Sequence, residues 1–305
     1  MRVLVIGSGG REHAIAWRAS QGENVELVYV APGNAGTALD PNLENIDIKV
    51  LDIEGQIQFA KRHKVDLTII GPEAPLVAGV VDEFRLAGLR CFGPTAAAAR
   101  LEGSKRFTKD FLSKYKIPTA DYGSFISPNK AIDFARSMEL PVVIKADGLA
   151  AGKGVVIANT YQEAEEAIRG MMVNGNFGGA GASVVIEEFL QGEEASFIVV
   201  SDGKNFLPFA SSQDHKAIFD GDKGPNTGGM GAYSPAPVVT SQVHERVLEK
   251  VIRPTIDGMR KEGTAYIGFL YAGLMIDSKG EPYVIEFNCR LGDPETQCLM
   301  MQLES

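Results

Sequence analysis

Cysteine is scarce: Cys91, Cys289 and Cys298 are the only three in 305 residues, and no CxxC spacing occurs. That excludes a disulfide framework and a thiolate zinc site, and it fits a reducing compartment, read here as the cytoplasm. Four scattered histidines leave neither a zinc site nor a Ser-His-Asp arrangement. No apolar run reaches the ~18 residues of a membrane span. The opening Met1-Arg-Val-Leu-Val-Ile6 stops at Gly7, too soon for a signal-peptide core, and reads as a buried first strand. An excess of positive charge is also missing. Lys plus Arg number 30 against 39 Asp plus Glu, a net −9, which disfavours a sequence-independent grip on DNA or RNA. A small phosphorylated ligand is not excluded, because a local cluster of donors outweighs net charge. Internal repeats and low-complexity runs are absent.

What is present is a globular composition, 45% hydrophobic and 23% charged, long enough for about two domains of ~150 residues. Over the first hundred residues, short apolar runs at 2–6, 25–30, 46–50, 65–71 and 90–93 alternate with helical spacing at 11–20, 53–63 and 76–87. Strand–helix alternation at this pitch predicts an α/β doubly wound parallel sheet, with its ligand at the carboxyl ends of the strands. Four glycine-bearing loops fall at that rim: Gly7 to His13, Ala31 to Thr37, Gly71 to Pro75 and Gly93 to Thr95. Their backbone N–H groups can approach an anion closely.

The grammar changes at residues 94–105. Helices are expected at 104–115, 129–138 and 162–173, and strands at 122–125, 141–146, 155–158, 183–188, 195–201, 270–276 and 283–288. Asp202-Gly203 and Ser278 to Glu281 mark hairpin turns. This half reads as α+β. The boundary between the two halves lies near residues 94–105.

Gly7-x-Gly9-Gly10-x-x-His13 invites a dinucleotide reading, but position 12, where the third glycine belongs, is Glu12. A tight turn or another kind of phosphate loop remains. Gly148 to Gly154 resembles a Walker A loop and fails twice: three residues separate Gly148 from Gly152, and Gly154 stands where Ser or Thr would hold magnesium. A strand follows instead of a helix. A glycine loop between two strands is expected to be mobile without nucleotide and to close over triphosphate with Lys153. Lys145 ends a strand of buried type and needs an anionic partner. Glu286, Asn288 and Arg290 alternate at a strand end and so share one face. A carboxylate and an amide oxygen suit Mg²⁺, and a guanidinium can fork onto phosphate or carboxylate. The acids of residues 187–194 read as an adenine and ribose contact or as a solvated turn. Residues 213–216 and 224–231 read as a long polar loop region of functional kind.

Taken together, Gly-Ser-Gly-Gly-Arg-Glu-His13, Ala-Pro-Gly-Asn-Ala-Gly-Thr37, Gly-Pro-Glu-Ala-Pro-Leu76, Lys-Ala-Asp-Gly-Leu-Ala-Ala-Gly-Lys-Gly154, Gln-Asp-His-Lys216, Gly-Pro-Asn-Thr-Gly-Gly-Met-Gly-Ala-Tyr233 and Glu-Phe-Asn-Cys-Arg-Leu-Gly-Asp-Pro-Glu-Thr-Gln297 resemble the glycinamide ribonucleotide synthetases of the ATP-grasp superfamily. The resemblance covers the whole chain and implies a division into residues 1–102, an N-terminal α/β substrate-binding domain, and residues 103–305, an ATP-grasp domain with a glycine-rich flap subdomain at about 120–192. It implies that ATP, glycine and 5-phosphoribosylamine give glycinamide ribonucleotide, ADP and phosphate in purine synthesis, through glycyl phosphate. It implies ATP with Mg²⁺, or Mn²⁺ in its place, small-molecule partners, and neither nucleic acid nor membrane.

Carried over residue by residue, Lys105 and Lys145 look like the triphosphate lysines, with Gly152, Lys153 and Gly154 from the flap. Glu187, Phe189 and Leu190 look like the adenine hinge, and Glu194 a ribose contact. Glu286 and Asn288 look like metal ligands, Arg290 a phosphate or glycine clamp, and Asp293 a partner for the glycine amine. The resemblance makes Arg290, Lys145 and Asp293 the catalytic set. Gly9, Gly10, Gly36, Thr37, Glu73 and Asp214 look like phosphoribosylamine contacts. The third acidic metal ligand of many ATP-grasp enzymes is matched here by Leu274. Members of the family extend into a further C-terminal domain, so this chain, stopping at Ser305 within an expected helix at 295–304, reads as truncated, with residues 299–301 left exposed. A carboxyaminoimidazole ribonucleotide synthetase and a non-catalytic nucleotide-binding module are the rival readings.

Overall fold

A computed structural model describes residues 1–149, 154–174, 178–220 and 223–304. The flap residues Gly152 and Lys153 lie outside them.

The chain opens with β1 (Arg2–Gly7), α1 (Gly10–Ser20), β2 (Leu27–Pro32), α2 (Ala35–Leu39), β3 (Leu43–Asn45), α3 (Ile53–Arg62), β4 (Leu67–Ile70), α4 (Glu73–Val77), α5 (Val80–Leu86), β5 (Cys91–Phe92) and α6 (Ala96–Gly103). The strands form a parallel sheet in the order β3-β2-β1-β4-β5. Alternate residues of β1 enter opposite cores, Leu4 and Ile6 on one face and Val3 and Val5 on the other. A strand buried on both faces carries an unbroken apolar run, which is what residues 2–6 show.

Two expectations fail here. The strand expected at 46–50 lies earlier, at β3. Ile46 still closes the ladder onto the Val30 carbonyl at 2.9 Å, but Ile48 N–H then turns back to the Ile46 carbonyl at 2.7 Å. Ile46, Ile48 and Val50 all pack on the core, but pairing ends at Ile46, so beyond it the alternation reports burial and not a ladder. The helix expected at 76–87 is two helices, because Gly79 takes φ +91° between them. That left-handed conformation breaks an α-helix and suits glycine.

The second half continues with α7 (Lys105–Lys114), β6 (Tyr122–Phe125), α8 (Pro128–Ser137), β7 (Val142–Ala146), β8 (Val155–Ala158), α9 (Tyr161–Met172) and β9 (Val184–Glu188). Ser104 caps α7, its Oγ accepting from Phe107 N–H at 3.1 Å. The antiparallel sheet β6-β9-β7-β8 packs on α8 and α9 around a core of its own, including Ile144, Ile168 and Ile186.

Then follow β10 (Glu193–Asp202), β11 (Phe206–Pro208), β12 (Gln213–Phe219), β13 (Lys223–Tyr233), α10 (Ser241–Val247), α11 (Arg253–Lys261), β14 (Ile267–Ile276), β15 (Pro282–Asn288) and α12 (Glu295–Met300). The sheet β11-β10-β14-β15 is antiparallel. Its core runs into that of the first sheet, joining Leu4 and Ile6 to Phe197 and Phe287. The polar loop expected at 213–231 is instead a two-stranded ribbon, β12 on β13, with register shifts after His215 and Ala217. A glycine-rich sequence has few side chains to alternate, so periodicity could not reveal the strand. The expected exposure of 299–301 holds only for Met301. Leu299 and Met300 are 1% and 6% exposed, in the core that α1 and α12 share. Among the described residues, no helix is long and apolar enough to cross a membrane.

Candidate active site

β15 shapes the site through one irregularity. Leu274 pairs with Val284 but Gly273 pairs with Glu286, so Ile285 is an extra residue in the ladder. Such a bulge changes which alternate residues face the core. Val284 lies in the core before it, and Phe287 and Cys289 after it. Glu286, Asn288 and Arg290 are thereby turned into a cleft, as their spacing predicted. Leu274 is fully buried.

The cleft lies between β15, α7 and the β7–β9 sheet. Lys105, Lys109, Lys145 and Arg290 line it together with Glu73, Glu102, Glu187 and Glu286. Four cations therefore meet four carboxylates among the described residues. A polyphosphate entering this balanced set brings a surplus of negative charge, which a divalent cation would offset.

Lys145 has the anionic partner its buried strand demanded. Its Nζ donates to Glu187 Oε2 at 2.9 Å and to the Ile285 carbonyl, exposed by the bulge, at 3.1 Å. The Glu187 carboxylate also lies 3.5 Å from Lys109 Nζ. Lys109 donates to Thr119 Oγ1 at 2.7 Å and the Ala120 carbonyl at 3.0 Å. Burial pushes the Lys109 ammonium down to about 8, although Glu187 pulls it back up. Lys105 is also lowered by burial, against the pull of Glu286, and its Nζ donates to the Gly148 carbonyl at 2.9 Å. That bond ties α7 to the base of the flap. Asp147 reinforces it by accepting from Ser104 Oγ at 3.1 Å, Arg106 N–H at 3.2 Å and Ser183 Oγ at 3.1 Å. Gly154, at the other end, accepts from Ala146 N–H at 2.8 Å.

Arg290 sits where the first half of the chain meets β15. Nε donates to Glu73 at 3.2 Å, Nη2 to Glu102 at 3.0 Å and to Asn288 Oδ1 at 2.9 Å, and Nη1 to the Leu291 carbonyl at 3.2 Å. Burial lowers the affinity of Arg290 for its proton, but Glu102 and Glu73 hold it above the ordinary arginine value. Burial pushes Glu73 up, yet Arg290 brings it below the usual carboxylate range. In Glu102 burial wins, and its carboxyl stays raised in spite of Arg290.

The rim of the parallel sheet is a second cluster. Glu12, 2% exposed, explains the missing third glycine. Its carboxylate accepts from Gly9 N–H at 2.7 Å and pairs with Arg11. A Cβ on Gly71 would lie 2.1 Å from Glu12 Oε1. The chain's own carboxylate thus fills the seat that a dinucleotide's pyrophosphate would need. Asp293 reaches this rim, with Oδ2 3.2 Å from where a Gly9 Cβ would be, and Gln297 faces Gly10 and donates to Asp293 Oδ1 at 2.7 Å. The Leu291 carbonyl accepts from Arg11 Nη1 at 3.3 Å as well as from Arg290, linking rim and cleft.

The other expected residues scatter. Gly36 lies against His13, and a Cβ there would be 2.8 Å from the imidazole. Thr37 is fully buried, its hydroxyl bonded to Asn34 and Asn45. Asp214 sits on β12, its charge felt at Tyr271. Glu187 lines the cleft, whereas Phe189, Leu190 and Glu194 follow β9 or begin β10, outside the lining residues. Gly152 and Lys153 lie outside the described residues. Sequence reasoning missed Glu102, Lys109 and Glu295. Glu295 accepts from Tyr271 at 2.7 Å and Ser196 at 3.0 Å. Each lies on a helix whose polar face gave no hint of burial. Only Glu12 left a signal, by standing in a glycine's place.

Family models for the phosphoribosylglycinamide synthetase N domain and for its ATP-grasp (A) domain match residues 1–102 and 103–296. A phosphoribosylamine–glycine ligase from Vibrio parahaemolyticus is 64% identical over the whole chain, which spans 71% of that relative. A crystal structure of the ligase of that name from Thermotoga maritima is 37% identical, with a TM-score of 0.85, covering 99% of this chain and 72% of that one. An N5-carboxyaminoimidazole ribonucleotide synthetase from the same organism is 20% identical, with a TM-score of 0.65, over 95% of this chain and 68% of that one. At that identity the likeness speaks for the fold alone.

Proposed function

The chain belongs to the phosphoribosylglycinamide synthetase family, and on that premise we propose that it joins glycine to 5-phosphoribosylamine at the expense of ATP. Glycyl phosphate forms first, and the ribosyl amine then displaces phosphate to leave glycinamide ribonucleotide and ADP. The observation that carries this reading is the bulged strand that turns Glu286, Asn288 and Arg290 into a cleft shared with Lys105 and Lys145.

In this reading residues 103–305 form the ATP-grasp domain and residues 1–102 receive the phosphoribosylamine, with the flap subdomain at about 120–192. Lys105 and Lys145 bind phosphates, and Glu187 holds Lys145 in place. Phe189, Leu190 and Glu194 meet adenine and ribose at the outer end of β9. Gly9, Gly10, Gly36, Thr37, Glu73 and Asp214 are assigned to the phosphoribosyl group, and Asp293 to the glycine amine. Phosphoryl transfer depends on positioning and charge neutralisation. Residues 147–154 shield the acyl phosphate from water.

The residues present fit a divalent cation. Glu286 and Asn288 offer hard oxygens on one face. Among the described residues no group of three acids, histidines or cysteines stands ready to hold a metal. Mg²⁺, or Mn²⁺ in its place, takes few protein ligands and completes its shell with phosphate and water. Bound there, it neutralises charge on the phosphates. The compartment this chemistry fits is the cytoplasm.

Single-turnover ADP formation tests the proposal. ADP should appear only with glycine, and glycinamide ribonucleotide only when phosphoribosylamine follows. ADP formation driven by bicarbonate and aminoimidazole ribonucleotide, or none under any condition, would sink it.

A further inference from the structure

Glu102, the second-last residue of α6, lies outside every motif that points to ATP or substrate, yet its side chain is only 8% exposed and spans two consecutive residues of the site. Oε2 accepts from the Cys289 N–H at 2.7 Å and Sγ at 2.9 Å, and Oε1 accepts from Arg290 Nη2 at 3.0 Å. The same Nη2 donates to Asn288 Oδ1 at 2.9 Å. We infer that Glu102 is a positioning residue: through Arg290 it selects the orientation of the Asn288 amide that presents oxygen to a divalent cation. The inference rests on the metal–nucleotide reading given above.

A side-chain amide has two ends of nearly equal size and opposite chemistry. Turned over, Asn288 would place its NH₂ against the Arg290 N–H, donor facing donor, and would offer the cation no lone pair. The guanidinium prevents this only while its own plane is held. Glu73 holds Nε from a side chain 29% exposed, and the Leu291 carbonyl takes Nη1. Neither holds Nη2, the nitrogen that meets the amide. Glu102 does, and its second oxygen is pinned by two donors from Cys289. Glutamine in its place keeps the shape but turns one acceptor into a donor against Cys289 or Arg290.

The test titrates Mn²⁺ into the 305-residue chain with saturating ADP, read by electron paramagnetic resonance. Glu102→Gln should raise the Mn²⁺ Kd at least tenfold, with metal-free ADP affinity within twofold of wild type. Glu73→Gln removes the same charge from the same guanidinium but spares Nη2, so it should raise the Kd less than threefold. Equal losses in the two variants would reduce the effect to charge and overturn the positioning role. So would a folded Glu102→Gln chain that binds Mn²⁺ like wild type. If thermal melting shows that Glu102→Gln does not fold, Glu102→Asp carries the test. It keeps the charge but falls one methylene short, and an unchanged Kd there also overturns the inference. Failure of the wild-type chain to take up Mn²⁺ with ADP would refute the metal–nucleotide reading itself.

Discussion

Replacing Lys109 with methionine should flatten the dependence of stability on pH above 8. Lys109 is 2% exposed and meets Glu187 at 3.5 Å. Burial brings its ammonium from the ordinary 10.5 to about 8. Below pH 8 the folded and unfolded chains both carry the proton, and the folded state bears the full penalty of holding it. Between 8 and 10.5 the folded chain releases the proton while the unfolded chain keeps it, so stability rises with pH. Above 10.5 neither carries it. At 1.36 kcal/mol per pH unit, the rise across this window is about 3 kcal/mol. Urea unfolding of wild type and Lys109→Met at pH 7.5, 9 and 10.5 measures it, and the difference between the chains cancels the titrating groups that do not touch Lys109. The wild-type advantage should grow by about 2–4 kcal/mol from the first pH to the last. A constant difference would refute the argument and show Lys109 to titrate like an exposed lysine.

Glu286→Ala should cut metal-dependent turnover by more than the roughly 10–100-fold typical of outer-shell partners, with melting unchanged; near-normal rates at limiting Mg²⁺ would remove it from the ligand set. Asp147→Ala frees three donors, two that fasten the flap base to α7 and one, Ser183, that fastens it to the start of β9. It should weaken ATP binding by about 1–2 kcal/mol and leave adenosine binding alone, by calorimetry; an equal loss for both ligands would contradict this. Gly71→Ala drives a methyl into the Glu12 carboxylate and should cost about 2 kcal/mol or more. In a double-mutant cycle Glu12→Ala should recover part of that loss, and strict additivity would deny the clash.

Most of the fold was legible where packing is periodic. Residues 2–6 are apolar throughout because both faces of β1 are covered, and Tyr122–Phe125 and Val155–Ala158 fell at their expected limits. Legibility ended where packing and pairing part company. Ile48 and Val50 continue the alternation of a strand but bury side chains without a ladder partner, and β13 pairs although its glycine-rich sequence does not alternate. In the site, Lys145 announced itself as a charge on a buried strand. Lys109 and Glu102 lie on helices where a charged residue at every third or fourth place is ordinary. Their burial comes from β9 and β15, contacts distant in sequence.

Ile285 also has a consequence for how β15 tolerates change. Up to Val284 the even-numbered positions serve packing; from Glu286 onward they serve chemistry, and one added residue separates the two reading frames. Substitutions can therefore accumulate in either stretch without disturbing the other. Regular pairing of Ile285, with no residue removed, would merge them: Val284, Glu286 and Asn288 would then share one face, so that either the valine meets solvent or the carboxylate enters the core beside Phe287. Deleting Ile285 has the opposite result. The ladder becomes regular, Val284 and Phe287 still face the core and Glu286 and Asn288 still face the cleft, and what is lost is the carbonyl that accepts from Lys145.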